Sequence, residues 1–110
     1  MLQKKALCRD IWKMNDILEI KDKTGRWISL SKERFHHLLK HPEMQNKLEE
    51  IKETLETPQK ILESTTNERV RYYYKYYKNR KSKAGYLKAI VKYLNGNGFI
   101  ITAYFVEVIR

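Results

Sequence analysis

Hydrophobic positions along the chain change period from strand-like to helical and back again. Leu2, Ala6, Leu7, Ile11 and Trp12 share one face of a short helix. Ile17-Leu18-Glu19-Ile20 and Trp27-Ile28-Ser29-Leu30 then read as two short strands, with Asp22, Thr24 and Gly25 supplying turn chemistry between them. Ser31 is an N-cap residue and Glu33 sits in the first turn that follows, so a helix is predicted from there to about Lys40. Pro42-Glu43 opens a second helix by the same logic. Met44, Leu48, Ile51 and Leu55 give that helix one apolar stripe, and Pro58 ends it.

After Pro58 the alternation becomes that of strands. Residues 60–64, 68–78, 85–94 and 98–109 are predicted strands. Thr65-Thr66-Asn67 is a turn, residues 79–84 form a basic loop, and Asn95-Gly96-Asn97-Gly98 is a hairpin signal. The order predicts an α+β fold: N-terminal helices packed on a four-stranded antiparallel β-sheet meander, preceded by a small N-terminal β-hairpin. No repeat or linker divides residues 1–110, which are expected to form a single domain.

Side-chain alternation splits the Tyr-rich strand into two faces. Val70, Tyr72, Tyr74 and Tyr76 are expected in the core; Arg69, Arg71, Tyr73, Lys75 and Tyr77 form the polar face. Without a bulge, the last hairpin would set Thr102 and Tyr104 beside Val91 and Ala89. With a bulge or an odd loop, Lys88, Lys92, Thr102 and Tyr104 would gather on the polar face with Arg69 and Arg71, and this second arrangement is preferred.

Charge narrows the function classes. Among 110 residues, 23 Lys and Arg oppose 13 Asp and Glu, a formal net charge of +10. That excess favours a polyanionic partner. Cys8 is the one cysteine, so no intrachain disulfide can form, and a reducing, cytoplasmic setting is expected. No apolar run is long enough for a membrane span. No Walker or dinucleotide-binding fingerprint is present, so no cofactor is expected.

All three histidines fall between positions 36 and 41. His37 and His41 lie one helical turn apart and flank the apolar face. Imidazole titrates near neutrality, so one neutral and one charged His can act as base and acid together. A shared metal would need a third ligand, and none stands at suitable spacing. The plainer alternative is a pair of surface histidines. Downstream, Arg69, Tyr73, Lys75, Lys78, Arg80, Lys81 and Lys83 combine cations for phosphates with rings for unpaired bases, a pattern expected of RNA binding. A solvated, charge-protected edge strand is the alternative.

Several segments together resemble a known family. They are Gly25-Arg26, Glu33-Arg34-Phe35 with His37, Lys40-His41-Pro42-Glu43-Met44, and Thr54-Leu55 with Pro58. Tyr73-Tyr74, Val91-Lys92 and Phe99-Ile100-Ile101-Thr102-Ala103-Tyr104 complete the set. Over residues 17–106 the chain resembles the second group of phage-type Barnase–EndoU–colicin–RelE (BECR-fold) nucleases. The resemblance implies helices followed by a four-stranded antiparallel sheet, and a small, toxin-like, metal-independent endoribonuclease. RNA would be its substrate, and an antitoxin or immunity protein a further partner. Matching positions are His37, His41, Glu43, Lys92, Thr102 and Tyr104; Arg71 is added from strand alternation. In that reading the histidines move protons, Lys92 and Arg71 hold the scissile phosphate, and Thr102 and Tyr104 position it while the RNA 2′-hydroxyl attacks. The alternative is a non-catalytic nucleic-acid-binding module of the same fold.

Overall fold

The computed structural model describes residues 16–78 and 80–109. The short helix expected at the N-terminus and Cys8 lie outside the described residues. Six strands and two α-helices follow in the order β1 (Asp16–Lys21), β2 (Trp27–Ser31), α1 (Lys32–Leu38), α2 (Leu48–Glu56), β3 (Lys60–Glu63), β4 (Val70–Tyr76), β5 (Tyr86–Leu94) and β6 (Asn97–Val106). A 3-10 turn, Pro42–Met44, lies between the helices.

All six strands belong to one sheet, ordered β1-β2-β6-β5-β4-β3. This overturns the expected four-stranded antiparallel meander: the sheet has six strands and is mixed. The β1–β2 hairpin is not a separate appendage, because β2 joins β6 in parallel through Ile28–Gly98 and Ser29–Phe99. Gly98 makes this junction close enough. A Cβ there would lie 2.9 Å from Tyr93 Cε1 and Val91 Cγ1, and 3.0 Å from Ile28 Cγ1. The strand order thus makes the sheet mixed.

Ser31 ends β2 and caps α1, its Oγ accepting from the Arg34 N–H at 3.1 Å. The expected second helix is broken. Pro42 opens only the 3-10 turn, Asn46 takes a left-handed backbone (φ 61°), and α2 starts at Leu48. The stripe nevertheless packs inward: Met44, Ile51 and Leu55 are buried and Leu48 packs beside them.

These side chains meet Leu38 of α1, Leu87, Ala89, Val91 and Tyr93 of β5, and Ile100, Ala103 and Phe105 of β6. That defines the helix-covered face of the sheet. Each buried aliphatic side chain contributes about 1.5–3 kcal/mol against exposure. Strand β5 alternates buried and half-buried residues along its length, so Tyr86, Lys88, Ile90 and Lys92 point to the opposite face.

The pairing of β4 reverses the expected faces of the Tyr-rich strand. Arg71, Tyr73 and Lys75 stand opposite Val91, Ala89 and Leu87 on the helix-covered side. Tyr72, Tyr74 and Tyr76 stand opposite Ile90, Lys88 and Tyr86 on the other, where Val70 and Tyr74 are nevertheless buried as expected. Both faces of this strand carry tyrosines, and the more apolar face, with Val70, is not the one the helices cover. Buried hydrogen-bond partners for Tyr73 decide the register, as described below.

Candidate nucleic-acid interface and its histidine

The hairpin between β5 and β6 turns through Asn95-Gly96, with Leu94 paired to Asn97. Its register shifts once, where Ile90 pairs with Thr102 but Val91 pairs with Ile100, leaving Ile101 as the extra residue. Beyond that bulge, Thr102 and Tyr104 lie across from Ile90 and Lys88. Lys88, Lys92, Thr102 and Tyr104 thereby share the face opposite the helices. Lys92 pairs with Phe99 and Val70.

Strand β2 borders only the first part of β6, and α1 with the 3-10 turn packs against β6 as well. This carries His41 around the sheet edge to Tyr104. Their ring centroids are 6.0 Å apart and tilted by 45°. Lys88 occupies the middle of the aromatic group. Its Nζ is 4.4 Å from the Tyr72 ring centroid, 5.7 Å from Tyr74 and 5.9 Å from Tyr104. Ring faces attract a cation, by about 0.5–2 kcal/mol according to exposure, so the three rings hold the ammonium in place. A shallow recess lined by Lys88, Val106, Glu107 and Val108 adjoins it.

The other sequence-predicted site residues fall elsewhere. His37 is exposed in the last turn of α1. Arg71 lies on the helix-covered face, its guanidinium 5.3 Å from the Tyr93 ring and 3.8 Å from Glu63 Oε2. Tyr73 is fully buried. Lys75 Nζ donates to the Thr57 carbonyl at 2.9 Å and to its Oγ1 at 3.1 Å. Arg80 stacks 3.4 Å over Phe105 and donates from Nε to the Ala84 carbonyl, which ties down the loop. Arg69, Lys78, Lys81 and Lys83 are exposed.

A buried polar centre on the helix-covered side explains Tyr73. The Asp22 carboxylate accepts from the Thr24 and Arg26 backbone N–H groups and from Thr24 Oγ1. It also accepts from the Tyr73 hydroxyl and, at 2.8 Å, from the Tyr93 hydroxyl; the two phenols contact each other as well. Burial would push the Asp22 carboxyl up, but the donors from Tyr73, Arg26, Tyr93 and Thr24 together hold it below its ordinary value. Burial, then the bond to Asp22, pushes the Tyr73 phenol up to about 12. Burial and the contacts with Tyr73 and Asp22 raise Tyr93 too.

Sequence reasoning took Asp22 for a turn residue and assigned no chemistry to Lys88 or Tyr93. No local signal marks the Asp22 centre, whose phenols come from 51 and 71 positions away. Among the described residues, no helix is long and apolar enough to cross a membrane. Compared with known proteins, the chain matches no family model, no curated protein and no solved structure.

Proposed function

We propose that the protein is a small, metal-independent, toxin-like endoribonuclease of the BECR type, acting at the sheet face where His41 meets Tyr104. The observation that carries this reading is that contact, beside an ammonium held among three tyrosine rings. An imidazole, a phenol and a fixed cation are a sufficient set for RNA transesterification.

In this reaction the neutral imidazole of His41 takes the proton from a ribose 2′-hydroxyl. The 2′-oxygen then bonds to the adjacent phosphorus, and the bond from phosphorus to the 5′-oxygen breaks. Tyr104 supplies a proton to that departing oxygen and regains one from the imidazolium through solvent. Lys88, with Lys92 and Thr102 on the same face, attracts the negative charge that develops on the phosphoryl oxygens. The products are a 2′,3′-cyclic phosphate and a 5′-hydroxyl. His37 and Arg71 have no direct part in this scheme. A cytoplasmic enzyme of this kind would require an antitoxin or immunity protein as its partner.

The same basic, aromatic face would also serve a module that binds RNA without cutting it. One experiment separates the two. Purified protein is incubated with total RNA in EDTA, alongside His41→Ala. Degradation that the substitution abolishes supports the enzyme. Intact RNA with salt-sensitive binding supports the module. Fragments lacking a 2′,3′-cyclic end, or cleavage of a substrate with a 2′-deoxy residue at the scissile position, would exclude the mechanism.

A further inference from the structure

Tyr76 closes β4 on the face that carries Lys88, and at 48% relative exposure it is one of the large apolar side chains left open to solvent. It is the cross-strand partner of Tyr86, and their ring centroids stand 5.1 Å apart at 62°. Aromatic pairs favour such an edge-on arrangement, which holds one ring while leaving a face of the other available.

The backbone beneath the ring is also fitted to it. A Cβ on Gly85 would lie 2.6 Å from Tyr76 Cε1 and 3.3 Å from its Cδ1, so the ring lies directly over this glycine and a side chain there would displace it. Gly85 is buried, and its carbonyl accepts from the Tyr77 N–H at 2.8 Å. The Tyr76 main chain is fixed from the other side, its N–H donating to Gln59 Oε1 at 2.6 Å. The exposed ring is therefore packed against Tyr86 and over Gly85.

Charged residues border this end of the sheet, with Glu107 beside Lys88 in the adjoining recess. Lys88 stands opposite Tyr74, the next residue inward on this face. Lys78, Lys81 and Lys83 are exposed in the loop that follows β4. A rigid, half-exposed ring beside cations suits an unpaired base and its phosphates, whereas a duplex keeps its base faces stacked within itself.

We propose that Tyr76, braced by Tyr86 and Gly85, stacks an unpaired base of single-stranded RNA and makes the protein selective for single strands. This deepens the reading of the face as an RNA site and rests on it for the choice of RNA. Tyr73, the ring that sequence alternation offered for this role, is fully buried.

The test uses the full chain and a labelled twelve-nucleotide RNA carrying 2′-O-methyl groups, which cannot be cleaved through its 2′-oxygens. The same RNA annealed to its complement is the duplex probe. The single strand should bind at least tenfold more tightly than the duplex. Tyr76→Ala should weaken single-strand binding by roughly 5- to 100-fold, the usual worth of one base stack, and leave duplex binding within about twofold. Tyr76→Trp should restore it. Gly85→Ala, which keeps the ring but displaces it, should weaken single-strand binding as well; it serves if Tyr76→Ala proves unstable by circular dichroism.

Equal affinity for single strand and duplex overturns the proposal. So does a folded Tyr76→Ala protein that binds like the wild type, or capture of a protein segment in place of RNA. Failure here is separable from failure of the ribonuclease reading. Tyr76-dependent binding without any RNA cleavage refutes only the enzyme. Cleavage with unchanged kcat and KM in Tyr76→Ala refutes only the stacking role.

Discussion

The imidazole of His41 stands 6.0 Å from the ring of Tyr104, at the edge where β6 runs on past the end of β2. Two residues 63 positions apart in sequence are brought together because α1 follows β2 directly and packs along β6. Single-turnover cleavage should therefore fall by roughly 10²–10⁴-fold in His41→Ala, the usual contribution of a positioned acid or base. Tyr104→Phe should also lose more than about tenfold, while His37→Ala should lose less than that. A large loss in His37→Ala with none in Tyr104→Phe would restore the histidine pair as the acid and base.

Lys88 is held among Tyr72, Tyr74 and Tyr104 where a phosphate would collect negative charge. Lys88→Met keeps most of the stem and removes the charge. It should lower kcat by roughly 10²–10³-fold, the scale of removing one oxyanion donor, with a smaller change in KM. A change confined to KM would assign Lys88 to ground-state binding alone.

The Asp22 centre predicts how stability depends on pH. Tyr73 has a raised pKa, so its contribution is fully present below its ordinary value of 10 and is lost as pH rises through about 12. Asp22 has a lowered pKa, so its contribution is present above the ordinary carboxylate range and is lost as pH falls through its folded value. Urea midpoints measured against pH should decline at both ends. Tyr73→Phe should flatten the alkaline limb.

Removing one phenol from the same centre leaves a buried charge short of a donor. Tyr93→Phe should destabilise by about 1.5–3 kcal/mol, the range for hydrogen bonds to charged groups. Equilibrium denaturation gives the value directly. A loss under about 0.5 kcal/mol would mean that water replaces the hydroxyl.

Leu55 is fully buried beneath the sheet. Leu55→Ala should cost about 2–5 kcal/mol in the same assay, as expected where a cavity opens in a packed core.

The sequence by itself determined the local elements. Ser31 as a cap, the stripe from Met44 to Leu55 and the Asn95-Gly96 turn are short-range signals, readable because each depends on neighbours within about one turn. Net charge and the clustering of tyrosines were equally plain. Tertiary structure alone decided three things. It added β2 to the sheet in parallel, through a contact at Gly98 that no local pattern announces. It turned Tyr73 inward and Tyr76 outward, because Asp22 and Tyr93 offer hydrogen bonds on one side of a strand that carries tyrosines on both faces. It also placed Arg71 on the face away from Lys88 and Tyr104 while bringing His41 to Tyr104. Strand alternation fixes which residues share a face, but only long-range pairing fixes which face the helices cover.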